Sequence, residues 1–103
     1  MSDLKQRMNA KIEVDFALAE IRTAIAFIKR TPGLNLKKID LGTLDIEDID
    51  CCPLAQASGM NFNDATGKFH LDAYTGFTCD PEEVPLYNRL WREELTAVRE
   101  DAH

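Results

Sequence analysis

A chain of 103 residues has room for one folded domain, and 45% hydrophobic side chains are enough to form its core. The 29% of charged residues is only slightly above the ordinary share, and this composition argues against disorder along the whole chain. The net charge of −6 disfavours a general affinity for nucleic acid.

The charge is divided unevenly along the chain. Residues 1–39 carry eight Lys and Arg against four Asp and Glu, a sum of +4. Residues 40–103 carry four against fourteen, a sum of −10. We therefore expect no direct nucleic-acid binding by the acidic part. A partner with a basic surface would be attracted to it, and the simpler interpretation is a surface that keeps the protein soluble.

The start of the chain gives no targeting signal. Residues 1–11 are polar and charged and lack the apolar run of a secretory signal. The longest apolar stretch, residues 24–28, is too short to cross a bilayer. We expect a cytoplasmic protein without membrane association, in which the three cysteines are thiols and form no disulfide framework.

The segment from residue 12 to residue 30 has the apolar spacing of an amphipathic helix. The sequence Thr31-Pro32-Gly33 then ends it, because proline disfavours helical geometry in the residue before it. The apolar stripe keeps four-three spacing over two heptads, so it predicts packing either on the C-terminal helix of the same chain or on the same helix of a second chain in a homodimer. The stripe consists of Val14, Leu18, Ile21, Ile25 and Ile28.

Residues 34–49 alternate irregularly between apolar and polar side chains. This pattern favours an extended segment pressed on the core and allows a short strand pair around residues 36–46. A short helix is expected next, with Asp48 or Asp50 as its cap, Pro53 in its first turn and Gly59 at its end.

Asn61 or Asn63 is expected to cap a second short helix that extends to about Phe69. A turn is expected over residues 73–78, which contain Gly76.

The sequence Asp80-Pro81-Glu82-Glu83 has the start signal of the last helix, and Pro85 delays the regular helix. The buried stripe of that helix is predicted to be Val84, Tyr87, Trp91, Leu95 and Val98.

Together these elements predict a mainly α fold. It is one small domain over residues 1–103, with a long N-terminal helix, one or two short central helices and a C-terminal helix. Residues 1–10 and 100–103 are expected to be frayed. One contiguous core is predicted from Leu18, Ile21, Ile25, Ile28, Phe77, Leu90, Trp91 and Leu95.

An ordered series of short motifs resembles a group of short uncharacterised proteins of actinobacteria and their bacteriophages. The resemblance covers roughly residues 25 to 96 and implies a bacterial or phage cytosolic setting, without implying an activity. Two positions depart from the pattern: Leu34 replaces an aromatic residue, and Ala55 replaces a glycine. The motifs are Pro32-Gly33, Ile39-Asp40-Leu41, Leu44-Asp45-Ile46, Cys52-Pro53-Leu54-Ala55-Gln56, Gly59, Gly76-Phe77 and Leu90-Trp91.

The cysteines and histidines are residue types that can form a zinc site or a catalytic Cys–His pair. Cys51, Cys52, Cys79 and His70 form a Cys3His set in composition, but adjacent cysteines followed by proline lack the turn that brings two sulfurs to one zinc ion. A Cys–His nucleophile pair would need His70, because His103 lies in the expected frayed tail, and no oxyanion-binding motif accompanies it. We predict no metal, no cofactor and no catalytic residue, and we expect Cys52 and Cys79 to be buried small hydrophobic residues.

Asp45, Glu47, Asp48 and Asp50 form the candidate interaction surface, although four acids so close together are also typical of a solvated rim. The favoured function is that of a small accessory factor that binds a protein partner. The alternatives are an acidic mimic of nucleic acid that inhibits a DNA-binding protein, and an enzyme of unrecognised type that uses Cys and His. The residues given a structural role are Cys52, Leu54, Gln56, Phe77 and Trp91.

Basic residues cluster at Lys29-Arg30 and Lys37-Lys38. The cluster is too small for a nucleic-acid footprint, and we expect it to form salt links with the acids of the same chain.

Overall fold

The computed structural model describes the backbone of residues 2–69 and 76–101 and the side chains of residues 14–69 and 76–99. This part of the chain is mainly helical and contains no β-strand, which confirms the predicted fold class. Two 3-10 turns, Leu36–Lys38 and Pro81–Glu83, accompany the α-helices. The helices are α1 (Ser2–Arg30), α2 (Pro53–Ser58), α3 (Phe62–Lys68) and α4 (Val84–Asp101).

α1 buries the apolar stripe that its spacing predicts. Ile21, Ile25 and Ile28 are at most 4% exposed, and Val14 and Leu18 are half-buried against them. The described part of this stripe therefore packs on the chain's own core, one of the two packings that its spacing predicts, and pairing with a second chain stays a prediction. The helix begins at Ser2, ten residues before the predicted start, so it includes most of the stretch that we expected to be frayed.

α4 packs along α1 with the same chain direction. The Tyr87 hydroxyl donates to Glu20 Oε2 at 2.6 Å, and Arg22 pairs with Glu94 at 3.3 Å. Residue numbers therefore increase together along the contact between the two helices. α4 begins at Val84, directly after the 3-10 turn that contains the predicted proline start signal.

Gly76 lies where the chain passes closest to α1. Its φ is +81°, a left-handed conformation that residues with a Cβ rarely adopt. A Cβ built on Gly76 would overlap the backbone carbonyl of Glu20 and lie 2.8 Å from Ala24 Cβ. The Gly76 carbonyl accepts a hydrogen bond from Trp91 Nε1 at 2.9 Å, which ties this turn to α4. Glycine is thus required here by both conformation and space.

The predicted strand pair around residues 36–46 is wrong. Leu36–Lys38 is a 3-10 turn, and turns follow it up to α2. Side chains of α4 donate the hydrogen bonds that a partner strand would otherwise supply. Arg92 donates to the carbonyls of Leu41 at 3.1 Å and Leu44 at 2.7 Å. Arg99 donates to the carbonyl of Leu36 at 3.4 Å and also to that of Ile39. The carbonyls of this segment are therefore satisfied without a ladder.

The two short helices form where proline and asparagine predict them. α2 has Pro53 at its first position, but its cap is the Cys52 thiol, whose Sγ accepts from the Ala55 N–H at 3.4 Å. The predicted Asp48 or Asp50 cap is therefore wrong. Gly59 ends α2 in a left-handed conformation, as predicted. The cap of α3 is Asn61, which accepts from the N–H of residue 64 at 2.8 Å and confirms that prediction.

One core joins these elements. It contains every residue of the predicted core except Leu18, which is half-buried against it. Trp91 lies within it, 0% exposed, and its ring is 6.1 Å from that of Phe77. None of the helices in the described part of the chain has both the length and the apolar composition that a membrane crossing requires.

Candidate functional site: the acidic loop

The four predicted interaction residues lie together in one loop that precedes α2. The acidic loop comprises residues 45–50 and contains Asp45, Glu47, Asp48 and Asp50. Glu47, Asp48 and Asp50 are exposed, whereas Asp45 is half-buried. The structure therefore brings all four acids into one patch and leaves three of them in full contact with solvent.

The acidic loop is a run of turns held by its own carboxylates. Asp45 Oδ1 accepts from the N–H of Glu47 at 3.1 Å, and Asp48 Oδ1 accepts from the N–H of Asp50 at 2.8 Å. Such bonds from an aspartate to the backbone two residues on fix a turn. The Asp48 carbonyl in addition accepts from the N–H of Cys52 at 2.9 Å. These bonds hold the four acids on successive turns of one loop.

Neighbouring helices hold the loop at both ends. Asn88 of α4 accepts from the N–H of Ile46 at 2.7 Å, and its amide donates to Asp45 Oδ1 at 3.3 Å. The N–H of Phe62, at the start of α3, donates to the Ile49 carbonyl at 2.8 Å. Sequence reasoning missed Asn88, because nothing in an amphipathic helix identifies a polar partner 42 residues away.

The motif residues Cys52, Leu54 and Gln56 follow the acidic loop directly, at the start of α2. Cys52 is 2% exposed and Leu54 is 0% exposed. Gln56 donates through Nε2 to the Cys51 carbonyl at 2.8 Å and accepts through Oε1 from the Asp40 N–H at 2.6 Å. Gln56 thus joins the turn at Asp40 and the Cys51 carbonyl to α2, while Cys52 and Leu54 lie in the core. The structural role given to these residues stays a prediction. Phe77 and Trp91 fill the core behind them.

Ile49 projects from the acidic loop into solvent. We predicted that it would be pressed on the core, but it is 53% exposed, and it is flanked in the chain by the exposed carboxylates of Asp48 and Asp50. Ile49 also lines one wall of a depression of about 150 Å³, together with Ile46, Cys52 and Phe77 among others. The acids on both sides of Ile49 in the sequence indicate an exposed position. The alternating apolar residues of the segment indicate burial instead, and the prediction followed that pattern.

The thiols around the loop are poor nucleophiles. Burial, followed by the charges of Asp48 and Asp50, raises the pKa of Cys51 above its ordinary value of 9.0. Burial likewise raises the pKa of Cys52, and burial together with nearby acids raises the pKa of Cys79 to about 11. All three are free cysteines. Because the thiolate is the reactive form, these shifts keep the thiols unreactive near neutral pH.

Cys51, Cys52 and Cys79 belong to no metal-binding group among the described side chains. Within residues 14–69 and 76–99, no group of three His, Cys, Asp or Glu side chains is placed to hold a metal ion. His70 and His103 lie outside the described residues, as does the part of the predicted turn at residues 73–75.

Within the described side chains, the basic cluster takes part in none of the predicted salt links. Among the described side chains, the ion pairs join Arg22 with Glu94 and Arg89 with Glu93. Neither pair includes Lys29-Arg30 or Lys37-Lys38. Arg30 instead lies over the Phe27 ring, 5.5 Å from its centroid.

No protein-family model, curated protein or solved structure matches this chain.

Proposed function

We propose that this protein is a small accessory factor that binds another protein through the acidic loop. The observation that carries the proposal is the exposed side chain of Ile49, held in a hydrogen-bonded loop among three exposed carboxylates. Many protein interfaces combine apolar side chains that become buried with a rim of polar groups. A preformed loop also loses little conformational entropy on binding.

The charge of the loop indicates the chemistry of the partner. Residues 40–103 carry a net charge of −10, and Glu47, Asp48 and Asp50 are exposed. A basic protein surface with an apolar depression complements this patch, and long-range attraction would speed the encounter. The acids lie within six residues of chain, so they favour a compact basic site over the long track of a DNA-binding groove. The nucleic-acid mimic stays a prediction of the sequence.

The setting that we propose is the cytosol of a bacterium or of a phage-infected cell. The sequence resemblance supports this setting. We further propose that the protein acts by binding and not by catalysis. The raised pKa values of Cys51, Cys52 and Cys79 support that view, because a thiol catalyst needs the opposite shift.

Affinity capture from host lysate with paired variants tests the proposal. We expect Ile49→Asp to abolish capture of a partner that the wild-type protein recovers, because it removes the apolar anchor. Phe16→Asp is the matched control, since Phe16 on α1 is 64% exposed and lies on a different element. Both substitutions are at exposed positions, so equal urea midpoints should show that both variants fold.

Recovery of the same proteins by both variants and by the wild type would contradict the proposal. Loss of capture by Phe16→Asp alone would move the interaction surface to α1.

A further inference from the structure

A groove lies between the C-terminal half of α1, the 3-10 turn Leu36–Lys38 and the end of α4. Its volume is about 260 Å³. Apolar side chains form much of its wall, including the half-buried Leu36 and Val98. Three cations, Lys29, Lys37 and Arg99, also line it. We call this feature the cationic groove.

Among the described side chains that line the cationic groove, the charged ones are all cations, and Glu94 lines the neighbouring depression with Lys29 and Val98. Lys29 and Lys37 are exposed, and none of the described residues that line the groove is acidic. Arg99 is fixed by its hydrogen bonds to the carbonyls of Leu36 and Ile39, so its charge is held at the rim. In a protein of net charge −6, three cations around an apolar floor select for an occupant that is both apolar and acidic.

The size of the groove indicates a side chain and not a cofactor. Small-molecule sites usually measure roughly 300–1,000 Å³. The cationic groove, at about 260 Å³, is smaller and open to solvent on one side, but it is large enough for a branched aliphatic side chain.

We propose that the cationic groove of one molecule receives the acidic loop of a second copy of this chain. Ile49 enters the apolar floor, and Glu47, Asp48 and Asp50 face the three cations. The two surfaces are complementary in kind, since one is an apolar side chain ringed by carboxylates and the other an apolar hollow ringed by cations. This inference rests on the proposed function of the acidic loop and names one partner for it.

The contact must form between molecules. The acidic loop is held to α4 at Asn88, whereas Leu95 and Arg99 of the same helix line the cationic groove. Seven residues of helix from Asn88 to Leu95 separate them by about 10 Å along the axis. Since the loop is also fixed at Ile49 by the Phe62 N–H, it cannot fold over into its own groove. The proposed association is head-to-tail, so that each added molecule leaves one free loop and one free groove.

Sedimentation of the full chain at low salt, from micromolar to millimolar concentration, tests the proposal. We expect the wild-type mass to rise above 11.6 kDa with concentration and to fall back when salt is added. Ile49→Asp removes the anchor, and Lys37→Glu reverses a charge of the groove. Each variant alone should remain at 11.6 kDa. Lys68→Glu is the matched charge control, because Lys68 is an exposed cation on α3, and it should associate as the wild type does.

Mixing the two defective variants gives the decisive measurement. Ile49→Asp retains its groove and Lys37→Glu retains its loop, so an equimolar mixture should form a dimer and no larger species. The wild-type protein separates the two possible arrangements, because a head-to-tail series keeps growing with concentration, whereas a two-fold dimer with reciprocal contacts stops at the mass of two chains. A wild-type mass that stays at 11.6 kDa at every concentration, or a mixture that stays monomeric, would overturn the proposal. If the wild type stays monomeric while Ile49→Asp still loses a captured protein, this proposal fails and the proposed function stands.

Discussion

Trp91 connects three parts of the molecule through one side chain. Its ring is fully buried and lies 6.1 Å from Phe77, and its Nε1 donates to the Gly76 carbonyl at 2.9 Å. The hydrogen bond satisfies a carbonyl of the turn that touches α1, and the ring fills the space behind that turn. Packing and hydrogen bonding at this residue therefore depend on each other.

Replacing Trp91 should separate these two contributions. We expect Trp91→Ala to lower the free energy of unfolding by about 3–5 kcal/mol, because it leaves a large cavity. Trp91→Phe keeps most of the ring but leaves the buried Gly76 carbonyl without its donor, at a cost of about 1–3 kcal/mol. Urea denaturation gives both values. An unchanged midpoint for Trp91→Ala would refute the assigned role, and Phe16→Ala at an exposed site serves as the control.

For single residues, the sequence predicts which side chains are buried better than it predicts their hydrogen-bond partners. The helical spacing identified Ile21, Ile25 and Trp91 as core residues, since burial follows directly from periodicity. It failed for Ile49, whose exposure depends on the turns on either side of it. The bond from Trp91 to the Gly76 carbonyl and the bonds of Asn88 to the acidic loop were not predicted, because their partners are far away in the chain.

The segment between α1 and α2 is held by arginines and not by a regular ladder. Arg92 and Arg99 stand about two helical turns apart on α4, and each donates to two main-chain carbonyls of residues 36–44. The planar guanidinium suits this role, because it directs several N–H groups to fixed acceptors. The segment alternates between apolar and polar residues much as a strand does. Its carbonyls, however, accept hydrogen bonds from the side chains of α4 and not from a neighbouring strand.

Arg92→Lys should show how much the guanidinium hydrogen bonds contribute to the free energy of unfolding. Lysine keeps the charge but cannot reach the carbonyls of Leu41 and Leu44 in the same fixed geometry, so we expect a loss of about 1–2 kcal/mol in the free energy of unfolding. Arg89→Lys is the matched control, because Arg89 makes only an exposed pair with Glu93 on the same helix, and its change should stay below about 0.5 kcal/mol. Equal urea midpoints for the two variants would contradict the role of Arg92.

The helices themselves were predictable, and the connections were not. The Thr31-Pro32-Gly33 stop, the Asn61 cap and the proline start of α4 are local signals, so each element appears where they predict it. The cap of α2 differed because a thiol took the place expected of an aspartate. The acidic loop was predicted as a candidate surface, whereas the cationic groove was missed because α1, α4 and the turn between them meet only in the folded chain.

The molecule as a whole depends on the contact between α1 and α4. Tyr87, 2% exposed, donates to Glu20 at 2.6 Å across this contact, and the half-buried Cys79 lies near the same acids. Burial and the bond to Glu20 raise the pKa of Tyr87 well above its ordinary value of 10.0. Burial and the neighbouring acids raise that of Cys79 to about 11. Both groups hold their protons more tightly in the folded state than in the unfolded state.

This difference predicts the pH dependence of stability on the alkaline side. Below pH 9.0 the contribution of both groups is fully present, and it is lost as the pH rises through the raised pKa values, because the unfolded chain then releases protons first. Tyr87→Phe should make the loss above about pH 10 shallower, since it removes one of the titrating groups. Urea midpoints measured from neutral pH to about pH 11 test this. The same alkaline slope in wild type and Tyr87→Phe would contradict it.

The arginines of α4 also determine when the protein can fold during its synthesis. Residues 36–44 leave the ribosome before α4 does, and until Arg92 and Arg99 follow, the carbonyls they satisfy have only water as a partner. Trp91, which closes the core over α1, arrives just as late. The nascent chain therefore carries an exposed apolar helix face and an unformed middle until translation has passed α4. During that interval chaperones and proteases can bind the chain most easily, and the interval ends when α4 packs on the core.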